Sequence, residues 1–132
     1  MDHDWGPRLM LFLAKDGYDE HRSQIDQLLR QELPVEICGY PTNYSRHDDG
    51  TRVIQAVESG PVDHAVTIHA LRDLVLETVG YDVDNDLTVL DWLTFPEQCL
   101  RALTAGRVFH DGLGQLVPLR ERLSYYPHDV WL

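Results

Sequence analysis

Two carboxylates stand near the start of the chain, Asp2 and Asp4, with one residue between them and an apolar run, Leu9-Met10-Leu11-Phe12-Leu13-Ala14, a few residues on. In extended backbone, residues i and i+2 point to the same face, about 7 Å apart. Carboxylates so placed can each reach one member of a Mg²⁺ pair held ~4 Å apart. Mg²⁺ prefers hard oxygen ligands, keeps several waters and completes its shell with substrate phosphates. In phosphoryl-type transfer such ions neutralise the charge that builds on the transferred group. Arg8, between the pair and the apolar run, carries a planar guanidinium that can grip a phosphate bidentately; it is equally what a surface arginine flanking a strand looks like. An Asp-x-Asp pair alone is also what a solvated terminus looks like, so its context decides.

The other clusters fit bland roles better. Asp82-Val83-Asp84-Asn85-Asp86 imitates the opening of a calcium-binding EF-hand loop, but Leu87 stands where the sharp turn needs glycine and Leu93 where a bidentate glutamate is needed. A polar loop leading into a helix explains it. His64 and His69 lie an odd number of residues apart, so on a regular strand they face opposite sides and cannot share a metal. His47-Asp48-Asp49 reads as a solvated turn, and His110-Asp111 as a strand-ending turn. Gly112-Leu113-Gly114 lacks the third glycine of a dinucleotide fingerprint, and there is no Gly-x-Ser-x-Gly elbow for a serine hydrolase. Trp5, Trp92 and Trp131 read as packing residues before base-stacking platforms.

These groups need elements to position them. The chain has 132 residues, 43% of them hydrophobic, which suits a single domain with one core. Its formal net charge is −11, from 22 acids against 11 bases, of which ten are arginine and one is Lys15. That balance excludes a broad DNA or RNA footprint, which needs basic patches to replace counterions. It leaves room for a small phosphate ligand carried by Mg²⁺, because the metal supplies the positive charge. Cys38 and Cys99 are in no metal-ligand spacing and read as reduced thiols of a cytoplasmic protein. No basic leader precedes Asp2, and the apolar run at 9–14 is far short of a membrane span.

Along the chain, residues 9–14 predict a strand buried on both faces. Asp19 then caps a helix to about Leu33, with Ile25, Leu28, Leu29 and Leu33 on one stripe and Pro34 ending it. Strands follow at 35–40, 51–57 and 62–68, with a polar loop at 41–50. Leu71, Leu74, Val75 and Val79 mark a helix stopped by Gly80. A short helical piece holds 91–93. Thr94 and Glu97 stand at capping-box spacing before a helix whose inner face is Cys99, Leu100 and Leu103 and which Gly106 ends. Residues 120–125 are helical, and the chain closes on the apolar Val130-Trp131-Leu132. The expectation is a single mixed α/β (α+β) domain over 1–132, with a sheet-forming half (1–80), helices packed on a mixed sheet, and a helical half (81–132).

The blocks Asp2-His3-Asp4-Trp5-Gly6-Pro7-Arg8-Leu9, Leu33-Pro34, Gly39-Tyr40, Asp91-Trp92-Leu93, Pro96-Glu97-Gln98, 104–112 and 125–131 together resemble a bacterial family of unassigned role, domain of unknown function 4037. Its architecture is nucleotidyltransferase-like, in the DNA polymerase β superfamily. The resemblance implies that Asp2 and Asp4 are the superfamily's metal-binding pair. It implies further that a Gly-Ser turn precedes them and that a third carboxylate comes from a neighbouring strand. This chain departs on both points: Met1 precedes the pair, and His64-Ala65-Val66-Thr67-Ile68-His69 holds no acid, with Asp63 only at its edge. Family members continue past the Val130-Trp131 block, so the resemblance implies a chain cut at both ends.

Two functions follow as expectations. The first is Mg²⁺-dependent transfer of a nucleotidyl group from an NTP to a small-molecule or protein acceptor, with Asp2 and Asp4 as catalytic metal ligands and Arg8 on the nucleotide. The second is a degenerate, non-catalytic domain that binds a partner or forms a homo-oligomer through its apolar C-terminal end.

Overall fold

The apolar run after Arg8 does become a strand. The computed structural model describes residues 8–124, and in it β1 (Leu9–Leu13) hydrogen-bonds to β6 (Val66–Ala70). Burial on both faces is not what is found: Leu9 and Met10 remain 48% and 46% exposed, and Leu11 to Leu13 are half-buried. An all-apolar strand is enclosed only inside a wide, doubly covered sheet, and the described sheet here has two strands.

Gly17, at φ 72°, turns the chain into α1 (Tyr18–Glu32). Gly17 therefore takes the cap position expected of Asp19, which lies in the first turn and complements the helix dipole. A Cβ on Gly17 would meet the exposed His21 ring, which can swing aside, so it is the positive φ that calls for glycine. The expected stripe is shallow. Ile25, Leu29 and Leu33 are half-buried, Leu28 is exposed, and no residue of α1 is buried.

The expected strand at 35–40 is instead a tight hairpin of β2 (Glu36–Ile37) and β3 (Tyr40–Pro41), paired antiparallel with Ile37 opposite Tyr40. Its two-residue turn is Cys38-Gly39, with φ 52° and 83°. Positive φ at both positions is the type I′ pattern, whose twist matches that of paired strands. A second hairpin pairs β4 (Tyr44–Arg46), in the stretch expected as loop, with β5 (Arg52–Ile54), inside the strand expected at 51–57. The His47-Asp48-Asp49 cluster lies in its turn. Gly50 donates its N–H to the His47 carbonyl at 2.9 Å with φ 85°, the shape of a turn closed by a glycine bulge. Asp49 accepts from the Thr51 N–H (3.0 Å) and hydroxyl (2.6 Å), which holds its carboxyl below the usual range.

The chain divides into two compact units, one ending at His69 and the other starting at Ala70. Beyond Ala70, which ends β6, the described part of the second unit is helical: α2 (Leu71–Val79), α3 (Val89–Thr94), α4 (Glu97–Thr104) and α5 (Leu116–Ser124). Helix α4 packs on α2 and on α5. Gly80, at φ 71°, ends α2 as expected. The capping box lies one helix earlier than its expected place. Thr88 accepts from the Asp91 N–H, and the Asp91 carboxylate accepts from the Thr88 N–H at 2.8 Å. The Thr94 hydroxyl donates instead to the Asp91 carbonyl, and Pro96 caps α4 without a side-chain bond. Trp92, Phe95 and Tyr81 form a buried aromatic cluster, with Trp92 and Phe95 edge-on at 5.8 Å and Tyr81 6.0 Å from Phe95. Leu100 is buried on α4, while Cys99 and Leu103 are half-buried. Helix α5 begins at Leu116, four residues before the expected start, with Pro118 tolerated in its first turn.

The Cys38-Gly39 turn yields a prediction. Asn is favoured at the first central position of a type I′ turn, whereas a β-branched side chain is strained at positive φ. Cys38→Asn is expected to hold or raise the urea midpoint, and Cys38→Val to be less stable than it by about 1–2 kcal/mol. Equal midpoints for the two variants would show that the turn is not of this type in solution.

Candidate functional site

Asp2 and Asp4 lie outside the described residues, as do Trp5 and the Val130-Trp131-Leu132 end. Arg8 is the first residue described; it is exposed and stands immediately before β1. The strand beside β1 reads Val66-Thr67-Ile68-His69-Ala70. Asp63, the acid expected at the edge of this strand, lies three residues ahead of it in a segment without regular structure. Among the described residues, no group of three or more His, Cys, Asp or Glu is placed to hold a metal.

What the first unit does assemble is a polar chain that the sequence reading passed over. On α1, Asp26 and Arg30 are one turn apart, and Arg30 Nε donates to Asp26 Oδ2 at 2.9 Å. Arg30 also donates to Asp63 Oδ1 at 3.1 Å, and its carbonyl accepts the Val62 N–H at 2.9 Å. The other Asp26 oxygen lies 3.1 Å from Nε2 of His64. His64 is only 3% exposed, whereas the side chains of Asp26, Arg30 and Asp63 are each more than a third exposed. Buried Asn43 closes the assembly: its Oδ1 accepts the Asp63 N–H at 2.7 Å, and its amide donates to the Gln55 carbonyl at 3.3 Å.

The hydrogen bond from Arg30 holds the Asp26 carboxyl below the usual range, and Asp26 in turn raises Arg30. Nδ1 of His64 faces the Val66 N–H at 3.2 Å. A backbone N–H can only donate, so Nδ1 accepts and the ring proton sits on Nε2, aimed at Asp26. The arrangement fixes one imidazole tautomer in a water-poor place and ties α1 to the entry of β6. Its sequence signal was Asp26 and Arg30 at i, i+4 beside a separate Asp63-His64 pair; nothing local in the sequence says that the two pairs meet.

In the second unit the sequence clusters resolve into structural roles. Arg72 pairs with Asp82 at 2.7 Å and Asp84 at 2.8 Å, so two acids of the EF-hand-like stretch are neutralised by an arginine. The Asp82 carboxyl is held low by the Asp84 N–H first and by Arg72 second. An open groove of about 550 Å³ is lined by Thr104, Gly106, Val108, Val117, Arg120, Glu121 and Ser124. Its arginine is engaged: Arg120 donates to the Thr104 carbonyl and, at 2.7 Å, to that of Gly106, closing the C-terminal end of α4. His69, on β6, belongs to the first unit, and its ring lies tilted toward that of Phe12 with centroids 6.1 Å apart, whereas His64 lies ahead of the strand.

Asp111 proves to be an anion at a helix start. Its carboxylate accepts from the N–H groups of Gln115 and Leu116 at 3.3 Å and Val117 at 2.9 Å, donors that α5 itself leaves unpaired. These bonds, that of Val117 foremost, lower its pKa. A carboxyl with a depressed folded pKa contributes stability above its unfolded pKa and loses it as the pH falls through the folded one. Asp111→Ala is therefore expected to lower Tm at neutral pH, with the gap to the native chain closing below about pH 4. A gap of constant size across that range, followed by circular dichroism melts, would contradict this role.

A family model described as Domain of unknown function (DUF4037) matches residues 92–132, from within α3 to the end of the chain. Neither the curated proteins nor the solved structures contain a match to the chain. Over residues 92–132, then, the chain is similar to a domain of unknown function, one whose name assigns no activity.

Proposed function

We propose that the chain is part of a nucleotidyltransferase-like domain that moves a nucleotidyl group from an NTP to an acceptor hydroxyl. The observation that carries this reading is the order Asp2-x-Asp4, then Arg8, then a strand that does form, β1, hydrogen-bonded to β6. The match of 92–132 to the family resembled by the N-terminal block supports it. The donor set suits Mg²⁺, since Asp2 and Asp4 offer only hard carboxylate oxygens. When bound there, Mg²⁺ would neutralise charge developing on the phosphates. Arg8 supplies a planar fork of donors for a phosphate oxygen. The acceptor, a small molecule or a protein side chain, needs a group to orient its hydroxyl, and Asp63 is the acid that leads into β6, three residues before it.

A second reading rests on a specific feature: β6 carries no carboxylate where the superfamily takes its third acid. On this reading the domain binds a partner or a second copy of itself without catalysis. The exposed Val89, Leu90 and Leu93 on one side of α3 would favour such association.

Calorimetry with ATP, GTP, CTP and UTP, with and without MgCl₂, separates the two. The catalytic reading expects NTP binding that requires Mg²⁺ and weakens about 10-fold or more in Asp2→Asn and in Asp4→Asn, since even outer partners of a metal site are worth 10–100-fold. Absence of Mg²⁺-dependent binding to all four, with a dimer in sedimentation, would leave the second reading standing.

A further inference from the structure

We propose that His64 is a proton-sensitive latch on the start of β6, closed when its ring is neutral and forced open when the ring takes a second proton. This stands apart from the nucleotidyl reading and needs no ligand. The ring is 3% exposed and both of its nitrogens are engaged: Nε2 toward Asp26 Oδ1 at 3.1 Å, and Nδ1 toward the Val66 N–H at 3.2 Å. The two engagements differ in what a proton does to them. At Nε2 the cation keeps its hydrogen bond and strengthens its attraction to Asp26. At Nδ1 the cation turns the acceptor into a donor, and two N–H groups then face each other at hydrogen-bond distance.

The Val66 N–H opens β6, and the ring that accepts from it is buried, so a lost acceptor costs the strand its first bond to that ring. Protonation must therefore rotate the ring or release the first residue of the strand. The charged groups around the imidazole are Asp26 and Arg30 from α1 and Asp63 from its own segment. Asn43, which bonds the Asp63 N–H, carries no charge. Asp26 and Arg30 are bonded to each other and supply no acceptor to the Val66 N–H. The conflict at Nδ1 thus persists whatever the balance of charge.

The test is amide exchange of the full chain followed by NMR while the imidazole nitrogens are monitored. At neutral pH the spectrum should show Nε2 protonated and Nδ1 bare. As His64 takes its second proton, exchange of the Val66 amide, normalised to its intrinsic rate, should rise roughly tenfold or more, ahead of the other β6 amides. His64→Asn keeps an acceptor near the Nδ1 position and cannot titrate, so Val66 protection there should not change over the same interval. The proposal is overturned if the wild-type ring becomes doubly protonated with Val66 still protected, or if it stays singly protonated down to the acid unfolding transition. The same exchange change in His64→Asn would overturn it too.

Discussion

Arg30 is the point on which the first unit depends. Its carbonyl receives the Val62 N–H, and its guanidinium bridges Asp26 on its own helix and Asp63 on the segment that leads to β6. That matters because α1 buries no residue, so apolar area alone does not fix where the helix lies. Among the described residues of this unit, Asn43, Tyr44, Val62, His64 and Ile68 are buried, two of them polar among the five. Partly exposed ion pairs are worth on the order of 0–1 kcal/mol each. What they supply here is direction: a helix that could slide on a shallow apolar stripe is pinned by bonds with defined partners. The Tyr18 hydroxyl adds a pin near the other end of the helix, donating to the Ile68 carbonyl at 2.8 Å.

The second unit is built the other way. Among its described residues, Ala70, Leu71, Val75, Tyr81, Trp92, Phe95, Leu100, Leu119 and Leu123 are buried, all of them apolar or aromatic. Arginine side chains there tie helices to the connections between them. Arg72 spans Asp82 and Asp84, Arg120 spans the Thr104 and Gly106 carbonyls, and Arg122 donates to the Tyr81 hydroxyl and to the Asn85 carbonyl while lying over the Tyr81 ring. Each of these arginines serves two acceptors at once. A planar fork of donors does this readily, and an ammonium on a flexible stem does not. The near absence of lysine among the chain's bases acquires a physical sense in that light.

The helices were legible in the sequence wherever an apolar period met a stop signal, as with Val79-Gly80 and Leu33-Pro34. Strand lengths were not, because positive φ at Cys38 breaks 35–40 into two short strands, and nothing in the residue type announces it. The loop assigned to 41–50 hid β4, since Tyr44-Ser45-Arg46 is polar on its outer positions and gains its pairing from β5 rather than from its own pattern. Asp111 looked like a turn residue, and only its distance to three backbone N–H groups reveals a cap. The Asp26–His64 pairing spans 38 residues and has no local signature at all. Long-range polar contacts of this kind depend on where the backbone goes, which the residue types at either end do not specify.

The same partnering bears on what ligand such a chain can take. Its net charge is −11, and of its ten arginines, Arg30, Arg72, Arg120 and Arg122 are each committed to two acceptors within the fold. An anionic ligand approaching this surface meets repulsion at long range and, at those four positions, guanidinium groups already held by two acceptors each. Withdrawing one of them would leave a carboxylate or a carbonyl without its partner, so recruitment of these arginines carries a structural cost. A polyphosphate ligand is therefore compatible with this composition chiefly when it arrives with its own divalent cation. The groups suited to receive that ion are hard oxygen donors without a cationic partner in the fold. Acids such as Asp26, Asp82 and Asp84 are excluded by their arginines. On the proposed function, a phosphate would then reach Asp2 and Asp4 carried by a metal ion, with Arg8 as the basic side chain beside it.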